Sequence, residues 1–224
     1  MPGKIYIVGT PIGNLEDITF RAVRTLKEVD LVLAEDTRRS IKLFNTYSIE
    51  TPLMSYNAHN AEMRNNKVKE MLIRGKALAL ISDAGMPVIS DPGREIISLA
   101  RETGADIDVI PGPSALTTAL TASGFDTTRV LYLGFLPRGK RRRRLFREIA
   151  DVRATLVFYE SPHRLQETLK DVLDILGEGE VFIAREMTKL HQEYRLLSLS
   201  RALIEYKGRE VKGEITVLIQ KNRR

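Results

Sequence analysis

Cysteine is absent from this 224-residue chain, which excludes disulfides, thiolate metal sites and cysteine nucleophiles. The absence also agrees with a cytoplasmic protein. No apolar run approaches the roughly 20 residues that span a bilayer, so no membrane partner is expected. The start, Met1-Pro2-Gly3-Lys4, runs straight into Ile5-Tyr6-Ile7-Val8, without the long apolar segment of a signal peptide. Aromatic residues are 6% of the chain and do not interleave with basic ones. That disfavours a non-catalytic RNA-binding module built on base stacking. Common nucleotide and hydrolase signatures are missing as well. There is no G-x-G-x-x-G after the first apolar run, no G-x-x-x-x-G-K-[ST] and no G-x-S-x-G. His59, His163 and His191 lie too far apart for H-E-x-x-H, and no metal is expected.

What is present is enough to build a core. Hydrophobic residues make up 43%, and the length suits one large domain or two small ones. Lys and Arg total 35 against 29 Asp and Glu, a net charge of +6. The excess is concentrated. Arg138 to Arg147 reads RGKRRRRLFR, with seven basic residues and no acid. The remaining chain has 28 basic against 29 acidic residues. Such a cluster attracts phosphate backbones by releasing counterions. A solvated basic loop or the polar face of a helix is the plainer reading.

Short apolar runs alternate with amphipathic stretches. Ile5–Val8, Leu31–Ala34, Ala77–Ile81 and Asp108–Ile110 read as buried strands. Ile18, Ala22, Leu26 and Val29 share one helical face, and further helices are expected around Val68–Leu72 and Ile96–Ala100. This alternation implies a mostly parallel sheet with helices on both faces. The second half repeats the theme less regularly. Strands are expected at Val130–Phe135, Thr155–Tyr159, Val181–Ala184 and Ile215–Gln220, and a helix at His163–Leu176 stopped by Gly177. Ser114–Ser123 reads as a helix leading to Gly124. The domain boundary is placed there, giving 1–123 and 124–224, both α/β.

In open α/β sheets, ligands collect at the carboxyl ends of strands. Here those ends carry Gly9-Thr10-Pro11-Ile12-Gly13-Asn14, then Glu35-Asp36-Thr37-Arg38-Arg39, then Ser82-Asp83-Ala84-Gly85-Met86-Pro87-Val88-Ile89-Ser90-Asp91-Pro92-Gly93, then Pro111-Gly112-Pro113-Ser114-Ala115. Gly, Pro, Asp and Ser are also ordinary turn residues, so any single loop is read more simply as a turn. Four at one sheet edge point to a site.

The segments VGTPIGNLEDIT, AEDTRRS, ISDAGMPVISDPG, VIPGPSA, FYESPHR and AREMTKLHQE follow in this order over nearly the whole chain. Together they strongly resemble the bacterial ribosomal RNA small subunit methyltransferase I family, a branch of the tetrapyrrole methylase superfamily. The resemblance implies an S-adenosylmethionine-dependent enzyme of two α/β domains, usually a homodimer, with the cofactor in the cleft between domains. It implies methylation of the ribose 2′-oxygen of a cytidine in the decoding region of 16S ribosomal RNA, within the small subunit. Matching the superfamily pattern residue by residue gives a cofactor set. Pro11 and Ile12 come from the first loop, Asp83, Ala84 and Met86 from the third, and Ser114 and Ala115 from the fourth. Phe158, Tyr159, Met187, Gly213 and Glu214 come from the second domain. Two positions depart from the pattern. Gly9 stands where alanine is usual, and Arg195-Leu196-Leu197-Ser198 lacks the glycine expected for a turn there.

A ribose hydroxyl is a weak nucleophile, so a general base would help its attack. Asp36 is the candidate, by its strand-end position and its alignment with an acidic residue of related methylases. Its alternative is a structural Asp–Arg pair or a helix N-cap. Arg38 is expected to pair with a carboxylate or hold an RNA phosphate. His59 and His163 are candidates for the acceptor side, with a capping role open for His163. Arg138, Lys140, Arg141, Arg142, Arg143 and Arg144 are expected to grip RNA. The competing enzyme reading is a methylase of a small acceptor such as a tetrapyrrole, which has no evident need for the basic run.

Overall fold

A computed structural model describes residues 3–91 and 93–221. Pro92 of the third loop and the outermost residues of the two expected domains, 1–2 and 222–224, lie outside them. The chain divides into two compact units, Met1–Ser114 and Ala115–Arg224.

The first unit contains β1 (Lys4–Val8), α1 (Phe20–Glu28), β2 (Leu31–Ala34), α2 (Thr37–Tyr47), β3 (Leu53–Ser55), α3 (Ala61–Ile73), β4 (Ala77–Ile81), α4 (Arg94–Glu102) and β5 (Asp106–Ile110). The strands form one sheet in the order β3-β2-β4-β1-β5. All its pairings are parallel. Period-two alternation sorts the side chains into two cores. Leu78 and Leu80 face α3 and α4, packing with Val68, Leu72 and Ile96. Ala79 and Ile81 face α1 and α2, packing with Leu26, Leu43 and Phe44. Each such large aliphatic chain, fully buried, contributes roughly 1.5–3 kcal/mol. The short strand β3 was not expected; it holds the sheet edge against β2.

The second unit runs α5 (Ala115–Ser123), β6 (Val130–Phe135), α6 (Gly139–Glu148), β7 (Thr155–Glu160), α7 (Leu165–Leu176), β8 (Gly179–Arg185), β9 (Glu193–Ser198), α8 (Leu199–Glu205) and β10 (Ile215–Lys221). Its sheet has the order β6-β7-β10-β8-β9. Only β6 and β7 pair in parallel; the other pairings are antiparallel. One face is covered by α6, α7 and α8 over Leu156, Phe158, Val181, Ile183, Val217 and Ile219. On the other, α5 packs on β10. The expected boundary at 123/124 therefore falls at the far end of α5, whereas the compact division falls at its start. Residues 193–198, where the missing glycine put the expected turn in doubt, form β9 along β8. A strand has no use for a left-handed glycine, which accounts for its absence. Gly177 ends α7 at φ 83°, as its sequence position indicated.

The basic run folds as α6, and its interior is buried. Arg142 is 0% exposed. Its Nε donates to Asp171 Oδ2 at 2.7 Å and its Nη1 to Thr168 Oγ1 at 3.0 Å. Thr168 in turn donates to Glu160 Oε2 at 2.6 Å, tying α6, α7 and β7 together.

Among the described residues, no helix is long and apolar enough to cross a membrane. Gly9 and Gly112 approach each other backbone to backbone. A Cβ on Gly112 would stand 2.9 Å from the Gly9 Cα and 3.0 Å from its carbonyl atoms. Gly112→Ala is expected to lower stability by about 1–3 kcal/mol, because both crowding partners are backbone. A urea melt of the variant beside the parent measures this.

Candidate functional site

In the first unit, the loops after β1, β4 and β5 are fastened together at the carboxyl edge of the sheet. Thr10 N donates to Gly85 O at 2.9 Å, and Gly85 N returns a bond to Thr10 O at 3.1 Å. Thr10 Oγ1 donates to Ser82 O at 3.2 Å. Gly85, at φ 82°, takes a left-handed turn that a side chain would disfavour. This brings Pro11 and Ile12, both buried, beside Asp83, Ala84 and Met86. A Cβ on Gly9 would meet Met86 Sδ at 2.7 Å, so Met86 lies directly over the first loop. Ser114 follows the β5 loop, and Ala115 opens α5. The β4 loop also contains a strained stretch, with Val88 at φ 73° and Ser90 at φ 65°. A β-branched residue there is a genuine outlier, of the sort concentrated at functional sites.

The loop after β2 is stitched to the same edge. Asp83 Oδ1 accepts the Asp36 backbone N–H at 3.0 Å, while Oδ2 pairs with Arg39 at 3.1 Å. Glu35 accepts a hydrogen bond from the Asp83 backbone. Four carboxylates, Glu35, Asp36, Asp83 and Asp91, thus share one loop cluster. Asp36 is the N-cap of α2, accepting from Arg38 N at 2.9 Å. It also takes Arg38 Nε at 3.0 Å and Nη2 at 2.8 Å. The Arg38 side chain, with its backbone N–H, holds Asp36 down at about 2. Asp36 therefore combines both plainer roles, cap and ion-pair partner, with its strand-end position. Asp91 behaves oppositely: burial, then the nearby charge of Glu35, pushes it up to about 6. Burial, then Asp83, raises Glu35 as well. Asp91 was read only as part of a loop. Its flanks, Ser90 and Pro92, give no sign in sequence that it would be desolvated beside Glu35.

His59 sits in the turn before α3, with its backbone N donating to Asn57 Oδ1 at 3.1 Å and its side chain exposed.

In the second unit, the expected cofactor residues converge on one sheet edge. Ile215 pairs with Glu160 on one side and Arg185 on the other, so the ends of β7 and β8 and the start of β10 coincide. Tyr159 is half-buried at this edge. Met187 is buried just beyond β8, between Glu186 at φ 50° and Thr188 at φ 65°. Glu186 N donates to Glu214 O at 2.9 Å, and Glu214 N donates to Glu186 Oε1 at 2.9 Å. Lys189 bridges Glu186 and Glu214 at 2.8 and 3.0 Å. Gly213, at φ 95°, leaves the Glu186 side chain room that a Cβ would fill. Phe158 is a correction as to its side chain: the ring belongs to the hydrophobic core with Phe146 and Leu169 and is not presented at the edge. Alternation along β7 sends Phe158 inward and Tyr159 to the other face. His163 is exposed in the short turn Pro162–Arg164 and makes no capping hydrogen bond.

The basic helix is corrected in the same way. Arg142 is enclosed by Asp171, Thr168 and Glu167, and presents nothing to a phosphate. Arg143 faces Asp171 and Asp174, and Arg144 pairs with Glu148 at 3.4 Å. Among the described residues, no carboxylate lies within ion-pair reach of Arg138, Lys140, Arg141 or Arg147, all on the surface or its margin.

The raised Asp91 has a consequence for stability. An acid whose folded value lies above its unfolded one binds more protons when folded. Its contribution is complete below about pH 4 and is lost as pH rises through about 6. Asp91→Asn is therefore expected to raise the urea midpoint at pH 7, with the gain shrinking toward pH 4. A gain of equal size at both pH values would contradict the assignment.

The comparisons agree with this architecture. The family model of tetrapyrrole (corrin/porphyrin) methylases matches residues 4–202. A protein of Thermotoga maritima named ribosomal RNA small subunit methyltransferase I is 52% identical over 217 residues, covering 97% of this chain and 98% of that one. Its namesake in Bacillus subtilis is 44% identical over 219 residues, covering 97% and 75%. Among solved structures, the methyltransferase CobJ superposes with a TM-score of 0.71 at 18% identity, over 99% of this chain and 96% of that one. The cobalt precorrin-4 methyltransferase CbiF gives 0.69 at 17% identity, over 97% and 94%. At such identities the structures speak for the fold alone. Strand-end loops fastened into one cluster, a family model over residues 4–202 and relatives above 40% identity over nearly all of this chain lead to one conclusion: the chain belongs to the tetrapyrrole (corrin/porphyrin) methylase family, among the ribosomal RNA small subunit methyltransferases I.

Proposed function

We propose that this protein uses S-adenosylmethionine to methylate the ribose 2′-hydroxyl of a cytidine in the decoding region of 16S ribosomal RNA. The observation that carries the reading is the full-length similarity to relatives named for small-subunit ribosomal RNA methylation. The exposed cations of α6 support an RNA substrate over a small acceptor. The reading places the work in the cytoplasm, by a homodimer.

The donor set of the first unit fits this cofactor. Burial, then the charge of Asp83, raises Glu35, and burial, then the charge of Glu35, raises Asp91, a crowding of carboxylates that a bound cation would relieve. When bound, S-adenosylmethionine supplies a cationic sulfonium whose methyl group is already activated for transfer. Asp83 would accept from its polar groups, with Pro11, Ile12, Ala84, Met86, Ser114 and Ala115 lining the loops. From the second unit, Tyr159, Met187, Gly213 and Glu214 are retained, and the Phe158 ring acts only by supporting the strand.

Asp36 accepts the ribose proton in this scheme. While Arg38 holds it at about 2, it is fully ionised but weakly basic. Arg38 is exposed and is free to turn toward an RNA phosphate, which would release the carboxylate and raise its basicity. Asp36 and Arg38 thus act as one unit, with His59 and His163 on the acceptor side.

Transfer of labelled methyl from S-adenosylmethionine to small subunits lacking the modification tests the reading, with the product nucleotide mapped. Label on one ribose 2′-oxygen in the decoding region is expected. Asp36→Asn should abolish transfer and leave cofactor binding nearly intact; full activity would remove Asp36 from the catalytic list. Cofactor binding with no label on RNA would favour a small acceptor.

The α6 cations give a second test. Replacing Arg141 and Arg144 with Ser should weaken RNA binding and reduce its salt slope by about one per residue lost. Arg142→Met should leave the slope unchanged while lowering thermal stability, since it removes a buried ion-pair partner.

A further inference from the structure

At the end of β6, plain alternation breaks down. Leu131 and Leu133 pack against the helical core, which puts Tyr132 on the opposite face. Phe135 should follow Leu131 and Leu133 inward. Instead the pairing slips. Tyr132 stands opposite Val157 and Phe135 opposite Tyr159, three residues of β6 spanning two of β7. Gly134 takes the bend at φ 61°. A bulge of this sort re-aims a side chain, and here it turns Phe135 onto the face of Tyr132 and Tyr159.

The outcome is an aromatic cluster on the sheet face opposite α6, at the end of β6 that leads into that helix. The Phe135 ring lies 5.3 Å from Tyr159, and Tyr159 lies 5.5 Å from Tyr132. Phe135 remains 66% exposed although its neighbours are largely covered. The backbone beyond it is pinned, because Arg164 Nη2 donates to Leu136 O at 2.8 Å and Pro137 O at 3.2 Å. Arg138 follows at once, exposed, and begins α6. An exposed ring and an exposed cation are therefore fixed three positions apart. Phe135 also stands at the sheet edge shared with Tyr159 and the loops carrying Met187 and Glu214.

We infer that Phe135, backed by Tyr159 and Tyr132, is a stacking platform for a nucleobase of the substrate RNA, with Arg138 taking a flanking phosphate. A flat ring offers a base its face, and the neighbouring cation supplies charge complementary to the strand. The inference rests on the reading of this protein as an RNA methyltransferase. The fold assembles the aromatic cluster from two separate strands, β6 and β7.

The test uses the full chain, unmodified small subunits for kinetics, and a decoding-region RNA carrying 5-iodocytidine for photocrosslinking. Phe135→Ala is expected to raise the KM for subunits about tenfold, the scale of one stacked base. The affinity for S-adenosylmethionine and the salt slope should not move, because no phosphate contact is lost. Phe135→Trp should restore binding; Phe135→Leu, equally apolar, should not. Irradiation should join the iodinated base to Phe135. Equal performance by the Leu variant would overturn the inference, as would a changed cofactor affinity. So would conversion of a dimer to monomers by Phe135→Ala, which would make the ring an interface between copies. If the Arg141→Ser, Arg144→Ser double variant leaves RNA binding untouched, the RNA reading itself fails. If that variant weakens binding and Phe135→Ala does not, only the stacking platform fails.

Discussion

The first unit depends on a contact from which side chains are excluded. Gly9 and Gly112 lie backbone against backbone where the loops after β1 and β5 cross. That approach lets Thr10 reach Gly85 and close a two-bond bridge between the loops of β1 and β4. The candidate cofactor residues Ile12, Asp83 and Met86 inherit their relative positions from it. A loop cluster of this rigidity needs little reorganisation on binding, which keeps the entropic cost of ligand capture low.

Charge is handled differently in the two units. In the first, like charges crowd at a strand edge, and the cost shows as raised carboxylates at Glu35 and Asp91. In the second, opposite charges are buried together. Glu160 accepts Thr168 Oγ1 and the Ser161 backbone N–H at 2.6 and 2.7 Å, and Arg164 pairs with it at 3.2 Å. Arg142 and Asp171 extend the network into α6 and α7. The first arrangement leaves like charges crowded, whereas the second sets cations against carboxylates and links α6, α7 and β7.

Much of this was legible in the sequence. The apolar runs gave β1, β2, β4 and β5, and the strand-end loops gave the candidate edge. The 3.6-residue period gave α1, and Gly177 marked the end of α7. What escaped did so for identifiable reasons. β3 has three residues, too few to show a period. β9 alternates half-buried and exposed positions at a sheet edge, where apolar content is weak. Phe135 was hidden because a bulge depends on pairing register, which no local pattern records. Phe158 and Tyr159 are adjacent aromatics, and alternation alone does not say which faces inward. Arg142 looked like its neighbours, yet a signal existed. Phe146 and Ile149, both buried, stand four and seven positions further on, on the same helical face.

That shared face fixes the rotation of α6 about its axis, and the rotation turns the helix into a ruler. With Arg142, Phe146 and Ile149 inward, Lys140, Arg144 and Arg147 fall on the opposite side as a single row. The row spans seven residues, or about 10 Å of helix. A nucleic-acid strand advances about 3.4 Å per nucleotide when stacked, so the row covers roughly three nucleotides. A footprint that short holds a strand without identifying its address. Under the proposed function, the choice of nucleotide would then fall to surfaces other than α6.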